Sequence, residues 1–363
     1  ADAERQSERH LLTERFYDMK IVVLAGGLSP ERDVSLSSGA LIASALSRCG
    51  HAVKIVDVYE GTDELPEDID SVFECGKSYS SPVSEHEPDL DEVRRRNGGR
   101  EALVGPGVLR ICAAADVVFL GLHGSIGENG QLQATLDCAG IRHYTGTGYS
   151  GALLSMDKDL TKQLISRAGI PTAEWIYFDT AADSKQDIID KIGLPCVVKP
   201  TSCGSSVGVT PVYSTDELDA ALDAACRYES RLVVERLIKG RELTVGVIDG
   251  KALPPVEIIP KTGFYDYKNK YQSGMTTEIC PAPLTEDETK KVQELAVATF
   301  HALRMEQYGR VDFIYGEDGI FYCLEANALP GMTPTSLLPQ EAAAVGIGYD
   351  ELCCMLAEMA KNK

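Results

Sequence analysis

A chain of 363 residues with 44% hydrophobic content is long enough for two or three domains with real cores, which excludes disorder as its main state. Its formal net charge of -20 and pI near 4.7 leave no basic footprint for nucleic acid or an anionic membrane, so neither is expected as a partner. No apolar run approaches the roughly 20 residues of a membrane span, and eleven cysteines without a CxxC pair read as buried free thiols of a reducing cytosol, with Cys353-Cys354 serving packing.

Residues 1 to 18 are polar, carry no initiator Met and read as an added or upstream segment. Apolar runs at 21–25, 53–58 and 117–122 predict strands, and a helical pattern over 35–48 separates the first two. Strands alternating with helices predict βαβ units in a parallel sheet, hence an α/β protein. Between 60 and 107 the sequence turns rich in Asp, Glu, Ser, Pro and Gly and reads as a surface insertion. One helix is expected over 152–168, stopped by Gly169-Ile170-Pro171, followed by a strand at 196–199 and a Gly/Ser turn. The spacing of Val292, Leu295, Ala296, Phe300 and Leu303 predicts a helix before the strand that carries Arg310.

The chemistry concentrates near the C-terminus, where Asp312 lies inside one apolar run and Glu325 and Asn327 end another. Residues i and i+2 of a strand share a face, so Glu325 and Asn327 can converge on one cation. Oxygen donors without His or Cys suit Mg²⁺ shared with nucleotide phosphates, although polar strand ends facing water would read the same way. Lys199 precedes the small-residue loop Thr201 to Gly208, whose backbone N–H groups and Ser205 and Ser206 hydroxyls can donate to phosphate oxygens. The apolar runs on either side predict a hairpin there, and an ordinary glycine-serine turn is the alternative. Glu235 and Glu242 flank an expected turn at Lys239-Gly240, where they could read an adenine amino group and ribose hydroxyls or merely decorate a solvated hairpin. Lys158 opens a helix and matters only as a second phosphate lysine. His123 ends a buried strand, either capping a turn or facing the ligand that α/β sheets bind at strand ends.

The segments Ser29-Pro30-Glu31-Arg32-Asp33-Val34-Ser35, Leu122 to Gly130 (LHGSIGENG), Met156-Asp157-Lys158, Val198-Lys199-Pro200 with Gly204 to Gly208, Tyr265 to Tyr271 and Asn327 to Thr333 occur in one order. Together they resemble the D-alanine:D-alanine ligases of the ATP-grasp superfamily, from about residue 19 to the C-terminus. The resemblance implies a three-domain ATP-grasp architecture with an N-terminal Rossmann-like parallel sheet: 19–142 with the 60–107 insertion, a central subdomain 143–232, and a C-terminal subdomain 233–363. It implies ATP-dependent joining of two D-alanines through a D-alanyl phosphate for peptidoglycan synthesis in the cytoplasm, by a homodimer. Lys158, Lys199 and Lys270 would touch the ATP phosphates, Glu235 and Ile238 the adenine, and Glu242 the ribose. Asp312, Glu325 and Asn327 would hold two Mg²⁺, with Mn²⁺ as a substitute. Glu31 would take the ammonium of the first D-alanine, with Ser205 and Tyr271 hydrogen-bonded to it and His123 helping to orient the substrate. Arg310 and the Gly331 N–H would polarise the transferred acyl group, and Ser336 with Leu337 would receive the second carboxylate. Asn129 departs from the Asp usual in that motif. A lid is expected over 263–274, closing to exclude water. D-serine or D-lactate as second substrate, or a non-catalytic ATP-binding relative, are the competing readings, and Tyr271 argues against lactate by family analogy.

Overall fold

The computed structural model describes residues 18–81, 88–204, 206–261 and 276–363. Ser205, Lys270, Tyr271 and the whole of the expected lid lie outside them. The chain divides into two compact units.

The first unit comprises the chain to His123, residues 136–145 and Gly348–Lys363. Its sheet has the order β2-β1-β3, from β1 (Lys20–Ala25), β2 (Ala52–Asp57) and β3 (Val117–Leu120), and both pairings are parallel. Ile21 to Leu24 are wholly buried, as a near-continuous apolar strand with both faces covered requires. The helix Arg32–Arg48 supplies one cover through Ile42, Ala43 and Leu46. A Cβ at its Gly39 would stand 2.6 Å from that of Ala25, so glycine is what lets this helix lie so close to the strand. A second cover comes from the other end of the sequence. The helix Tyr349–Lys361 packs on Arg32–Arg48 and β3 through a buried face that includes Leu352, Leu356 and Ala360. Arg48 pairs with Asp350 at 2.6 Å and Lys361 with Asp116 at 2.8 Å.

That helix corrects the cysteine expectation. Cys354 is joined to Cys49 in a disulfide across 305 residues of sequence, and Cys75, Cys138 and Cys226 are exposed rather than buried. Cys112, Cys196, Cys323 and Cys353 are buried thiols as expected. The described part of the 60–107 stretch rests on β2: Glu74 bridges Val53, the Tyr79 hydroxyl donates to the Val53 carbonyl at 2.7 Å, and Arg100 stacks over the Tyr59 ring.

The second unit spans residues 124–135 and 146–347 and holds two further sheets. One has the order β4-β7-β5-β6, built from β4 (Trp175–Asp179), β5 (Cys196–Pro200), β6 (Thr210–Val212) and β7 (Arg231–Arg236), all antiparallel. The other runs β11-β10-β8-β12-β13, with β9 (Lys251–Ala252) beside β8. Its members are β8 (Gly240–Ile248), β10 (Val256–Pro260), β11 (Thr276–Ile279), β12 (Tyr308–Gly316) and β13 (Phe321–Asn327). The helix Glu286–Ala302 covers this sheet through Val292, Ala296 and Phe300, and starts at a capping box in which Thr285 and Glu288 satisfy each other's backbone N–H groups.

Two expectations fail here. The single helix over 152–168 is two, Tyr149–Met156 and Lys158–Arg167, because Asp157 leaves helical geometry and its carboxylate accepts from the N–H groups of Asp159 and Leu160 at 3.0 Å. Glu235 and Glu242 do not flank a hairpin. Glu235 sits in β7 and Glu242 in β8, which belong to different sheets, and residues 237–239 carry the chain from one to the other.

Candidate functional site

The change of sheet at 237–239 builds a cleft in the second unit. Lys158, Lys199, Ser206, Glu235, Ile238 and Glu242 line it, together with Asp312 and Glu325. A smaller pocket shares Lys158 and Glu325 with it and adds Glu128, Gly204 and Asn327. The β5–β6 hairpin forms as expected, with Val198 opposite Thr210 and Ser206 in the loop between them at a φ of 57°. Lys158 stands at the first residue of its helix because Asp157 caps it, and its Nζ donates to the Cys203 carbonyl at 2.7 Å while lying 3.4 Å from Glu325 Oε2.

At one end of the cleft the charges are dry. Glu235 Oε2 lies 2.6 Å from Lys162 Nζ, and Oε1 contacts Lys199 Nζ. Burial pushes the Glu235 carboxyl up, but Lys162 and Lys199 outweigh it and hold it down at about 2. Burial drives the Lys162 ammonium below the ordinary lysine range, aided by repulsion from Lys199 and opposed by Glu235. Lys162 was not picked out from the sequence, yet a signal exists: Lys158, Thr161, Lys162 and Ile165 are the buried positions of their helix, with the i, i+3, i+4, i+7 spacing of a core-facing stripe.

At the other end, β12 and β13 set Asp312 directly opposite Glu325, with a bulge between Asp312 and Phe313. Arg310 reaches Asp312 with a two-pronged contact, Nε to Oδ1 and Nη2 to Oδ2, both 2.9 Å. Asn327 Nδ2 donates to Asp312 Oδ2 at 2.9 Å and the Thr244 hydroxyl to Oδ1 at 2.6 Å. Asp312, Glu325 and Asn327 offer only oxygen ligands beside ammonium groups, a donor set that fits a hard cation shared with phosphates. Among the described residues no group of three His, Cys, Asp or Glu is placed to hold a metal ion, so a site here would take its third ligand from the Asn327 amide oxygen.

Beneath this end lies Glu341, on the helix Leu337–Ala344, wholly buried. Its Oε1 accepts from the Gly246 N–H at 2.7 Å, and Gly246 pairs with Arg310 across β8 and β12. Burial drives its carboxyl well above the usual range, beyond the opposing pull of that N–H and of Arg310. Sequence reasoning missed it too. Ser336 caps the same helix, and its hydroxyl accepts from the Thr333 N–H at 3.0 Å. A Cβ on Gly331 would stand 2.9 Å from the Ser336 hydroxyl, so any larger residue there would displace that hydroxyl. Leu337 packs its side chain against Val256 and Ile258.

The two remaining described residues belong to the first unit. Glu31 is buried at the residue preceding Arg32–Arg48. Ser29 donates to the His123 carbonyl at 2.9 Å, and Ser38 Oγ lies 3.3 Å from His123 Nε2, so the loop after β1 is tied to the end of β3. Arg32, part of the Ser29–Ser35 segment but given no role from the sequence, bonds the Gly27 carbonyl and pairs with Asp57 and Glu60 at 2.5 and 2.8 Å, fixing that loop.

Profiles of the D-ala D-ala ligase N-terminus and C-terminus match residues 20–147 and 164–358. The D-alanine--D-alanine ligase of Pediococcus pentosaceus is 42% identical over 343 residues, covering 92% of this chain and 95% of that one. That of Lacticaseibacillus casei is 41% identical over 337 residues, covering 92% and 93%. A solved structure of the Bacillus anthracis D-alanine--D-alanine ligase complexed with ATP matches with a TM-score of 0.72 at 31% identity, over 94% of this chain and 97% of that one. With two profiles matched in order and relatives above 40% identity along nearly its whole length, the chain belongs to the D-alanine–D-alanine ligase family, with that family's α/β ATP-grasp fold.

Proposed function

We propose that this protein joins two D-alanines, coupled to cleavage of ATP to ADP and phosphate, and so supplies D-alanyl-D-alanine for peptidoglycan in the cytoplasm. The observation that carries this reading is the cleft of the second unit, where Lys158 and Lys199 stand beside the Arg310–Asp312–Asn327 network and Glu325. The carboxylate of one D-alanine takes the γ-phosphoryl group of ATP, giving an acyl phosphate and ADP. The amine of the second attacks the acyl carbon, loses a proton, and phosphate leaves. Phosphoryl transfer asks a protein mainly for positioning and charge stabilisation, which fits a site rich in fixed charges.

Lys158 and Lys199, with Lys270 beyond the described residues, neutralise phosphate oxygens, and Ser205 and Ser206 donate to them. Glu235 and Ile238 meet the adenine and Glu242 the ribose. Asp312, Glu325 and Asn327 hold two Mg²⁺, for which Mn²⁺ can substitute; bound there, the metal supplies charge neutralisation at the phosphates. Arg310 and the Gly331 N–H stabilise the oxyanion of the tetrahedral intermediate. Glu31 receives the first ammonium with Ser205 and Tyr271, His123 helps to orient that substrate, and Ser336 with the Leu337 backbone receives the second carboxylate. Among the described residues no helix is long and apolar enough to cross a membrane.

ATP-dependent phosphate release with D-alanine tests the reaction, and mass spectrometry of products from equal D-alanine, D-serine and D-lactate tests the substrate. D-alanyl-D-alanine as the dominant product supports the reading. A mixed product moves the assignment to the serine or lactate ligases, and nucleotide binding without turnover overturns catalysis. Light scattering in solution tests the homodimer that goes with this reading.

A further inference from the structure

Lys162 presents a problem that the reaction does not solve. A lysine with no exposed surface gives up the hydration of its ammonium, which is costly unless the ion is paired. A leucine at this point of the helix would pack without that cost. The lysine has instead a full set of partners: the Thr172 hydroxyl at 2.7 Å, the Ala173 carbonyl at 3.4 Å, the face of Trp175 with its centroid 5.5 Å away, and Glu235 at 2.6 Å. Of these, Ala173 and Glu235 also line the cleft.

Glu235 is therefore held from both sides. Lys199 contacts Oε1 from within the cleft, and Lys162 faces Oε2 from the core. Oε2 lies 2.6 Å from Lys162 Nζ, and among the described residues it takes part in no hydrogen bond of good geometry. A carboxylate oxygen has two acceptor sites, so capacity remains on a buried atom at the wall of the cleft. A carboxylate fixed as an acceptor matches the 6-amino group of adenine and repels the 6-oxo group of hypoxanthine or guanine.

We propose that Lys162 is a positioning residue for nucleobase selection: by pinning the Glu235 carboxylate from the core side, it fixes an acceptor that prefers a 6-aminopurine over a 6-oxopurine. The inference rests on the reading of this cleft as the ATP site and adds the group that sets base preference. Lys162 touches no substrate and acts through Glu235. Without it, Lys199 is the one ammonium left in contact with Glu235 among the described residues, free to draw the carboxylate toward the phosphate side. A site built to donate to or accept from a given group can reject the analogue lacking it by about 10,000-fold, because its own polar atom is left unpaired.

The test measures dissociation constants of ADP, inosine diphosphate and tripolyphosphate with Mg²⁺ and no D-alanine, in the full chain and in Lys162→Met. The native protein is expected to favour ADP over inosine diphosphate by about 100-fold or more. Lys162→Met is expected to narrow that ratio by about tenfold or more, mainly through weaker ADP binding, with tripolyphosphate binding little changed. A ratio unchanged in Lys162→Met, or ADP and tripolyphosphate weakened alike, overturns the role of Lys162 and leaves the ATP reading standing. Native protein indifferent to the base overturns the base pocket itself and the proposal with it. Should Lys162→Met fail to fold, Thr172→Val keeps the lysine but removes the hydroxyl that orients it. That variant is expected to narrow the ratio by a few-fold, and an unchanged ratio there also overturns the proposal. Combining Lys162→Met with Glu235→Gln separates a structural role from the proposed one: acting through Glu235, the two losses in ADP affinity must fall well short of additive.

Discussion

The two ends of the cleft in the second unit handle charge in opposite ways. Around Glu235 the ions are dry, with side-chain exposures of 4% for Glu235 and 0% for Lys162, and each is locked to the other. Around Asp312 the charges remain in partial contact with solvent, with side-chain exposures of 13% for Arg310 and 23% for Glu325. Removing one partner of a buried pair strands the other, whereas a group that keeps some contact with water can be rehydrated or passed to a ligand. The dry end is thus set before any ligand arrives. The wet end can exchange its internal pairings for contacts with substrate and cation.

The sharpest way to separate the two ends is Arg310→Ala. It should lower ligation about 100- to 1,000-fold, as loss of an oxyanion donor does, while ADP affinity changes little. A comparable loss of ADP affinity in the same variant would erase the distinction between the ends. Next comes Gly246→Ala, whose new Cβ would stand 2.5 Å from Leu338 and 2.6 Å from Glu341 Oε2, overpacking the floor beneath Arg310. A destabilisation of about 1–3 kcal/mol is expected in urea titration.

Acid and base should act on the two buried carboxyls in opposite directions. Glu235 has a lowered pKa, so its contribution is present above the ordinary value of 4.5 and is lost as pH falls toward about 2. Glu341 has a raised one, so its contribution is complete below 4.5 and lost as pH rises toward its folded value. Thermal melts of Glu341→Gln against the native protein should therefore shift in favour of the variant as pH climbs from 5 to 8. A pH-independent difference would mean that Glu341 does not titrate differently on folding. Smallest of all, Arg48→Ala breaks an exposed pair with Asp350 in the first unit and should cost about 0.2–1 kcal/mol, with ligation kinetics unchanged.

Legibility in the sequence followed the same division. Asp312, Glu325 and Asn327 could be found because strand alternation alone puts Glu325 and Asn327 on one face, and Lys158 and Lys199 because each sits at an element boundary. Lys162 and Glu341 lie within helices, where a charged residue reads as solvated until the buried side is known. The switch of sheets after β7 was hidden by Lys239-Gly240, a dipeptide that serves a hairpin or a sheet crossing equally well. Lys158 reads correctly as the opening of a helix, but the helical pattern over 152–168 runs on through Asp157 and hides the break before it, though Asp is among the preferred caps. The pairing of Cys49 with Cys354 spans nearly the whole chain, and no local pattern points across such a distance.

The helix that carries Cys354 bears on the order in which the protein is made. The first unit opens the sequence, yet the helix Tyr349–Lys361 that covers Arg32–Arg48 and β3 is synthesised after the entire second unit. Until then the first sheet waits on the ribosome with one apolar flank bare, for about 12 to 46 s at ordinary elongation rates of 5–20 residues per second. Chaperone dependence and aggregation of nascent chains should accordingly track the interval between translation of β3 and translation of Leu352, and a circular permutant that brings this helix to the front should shorten it.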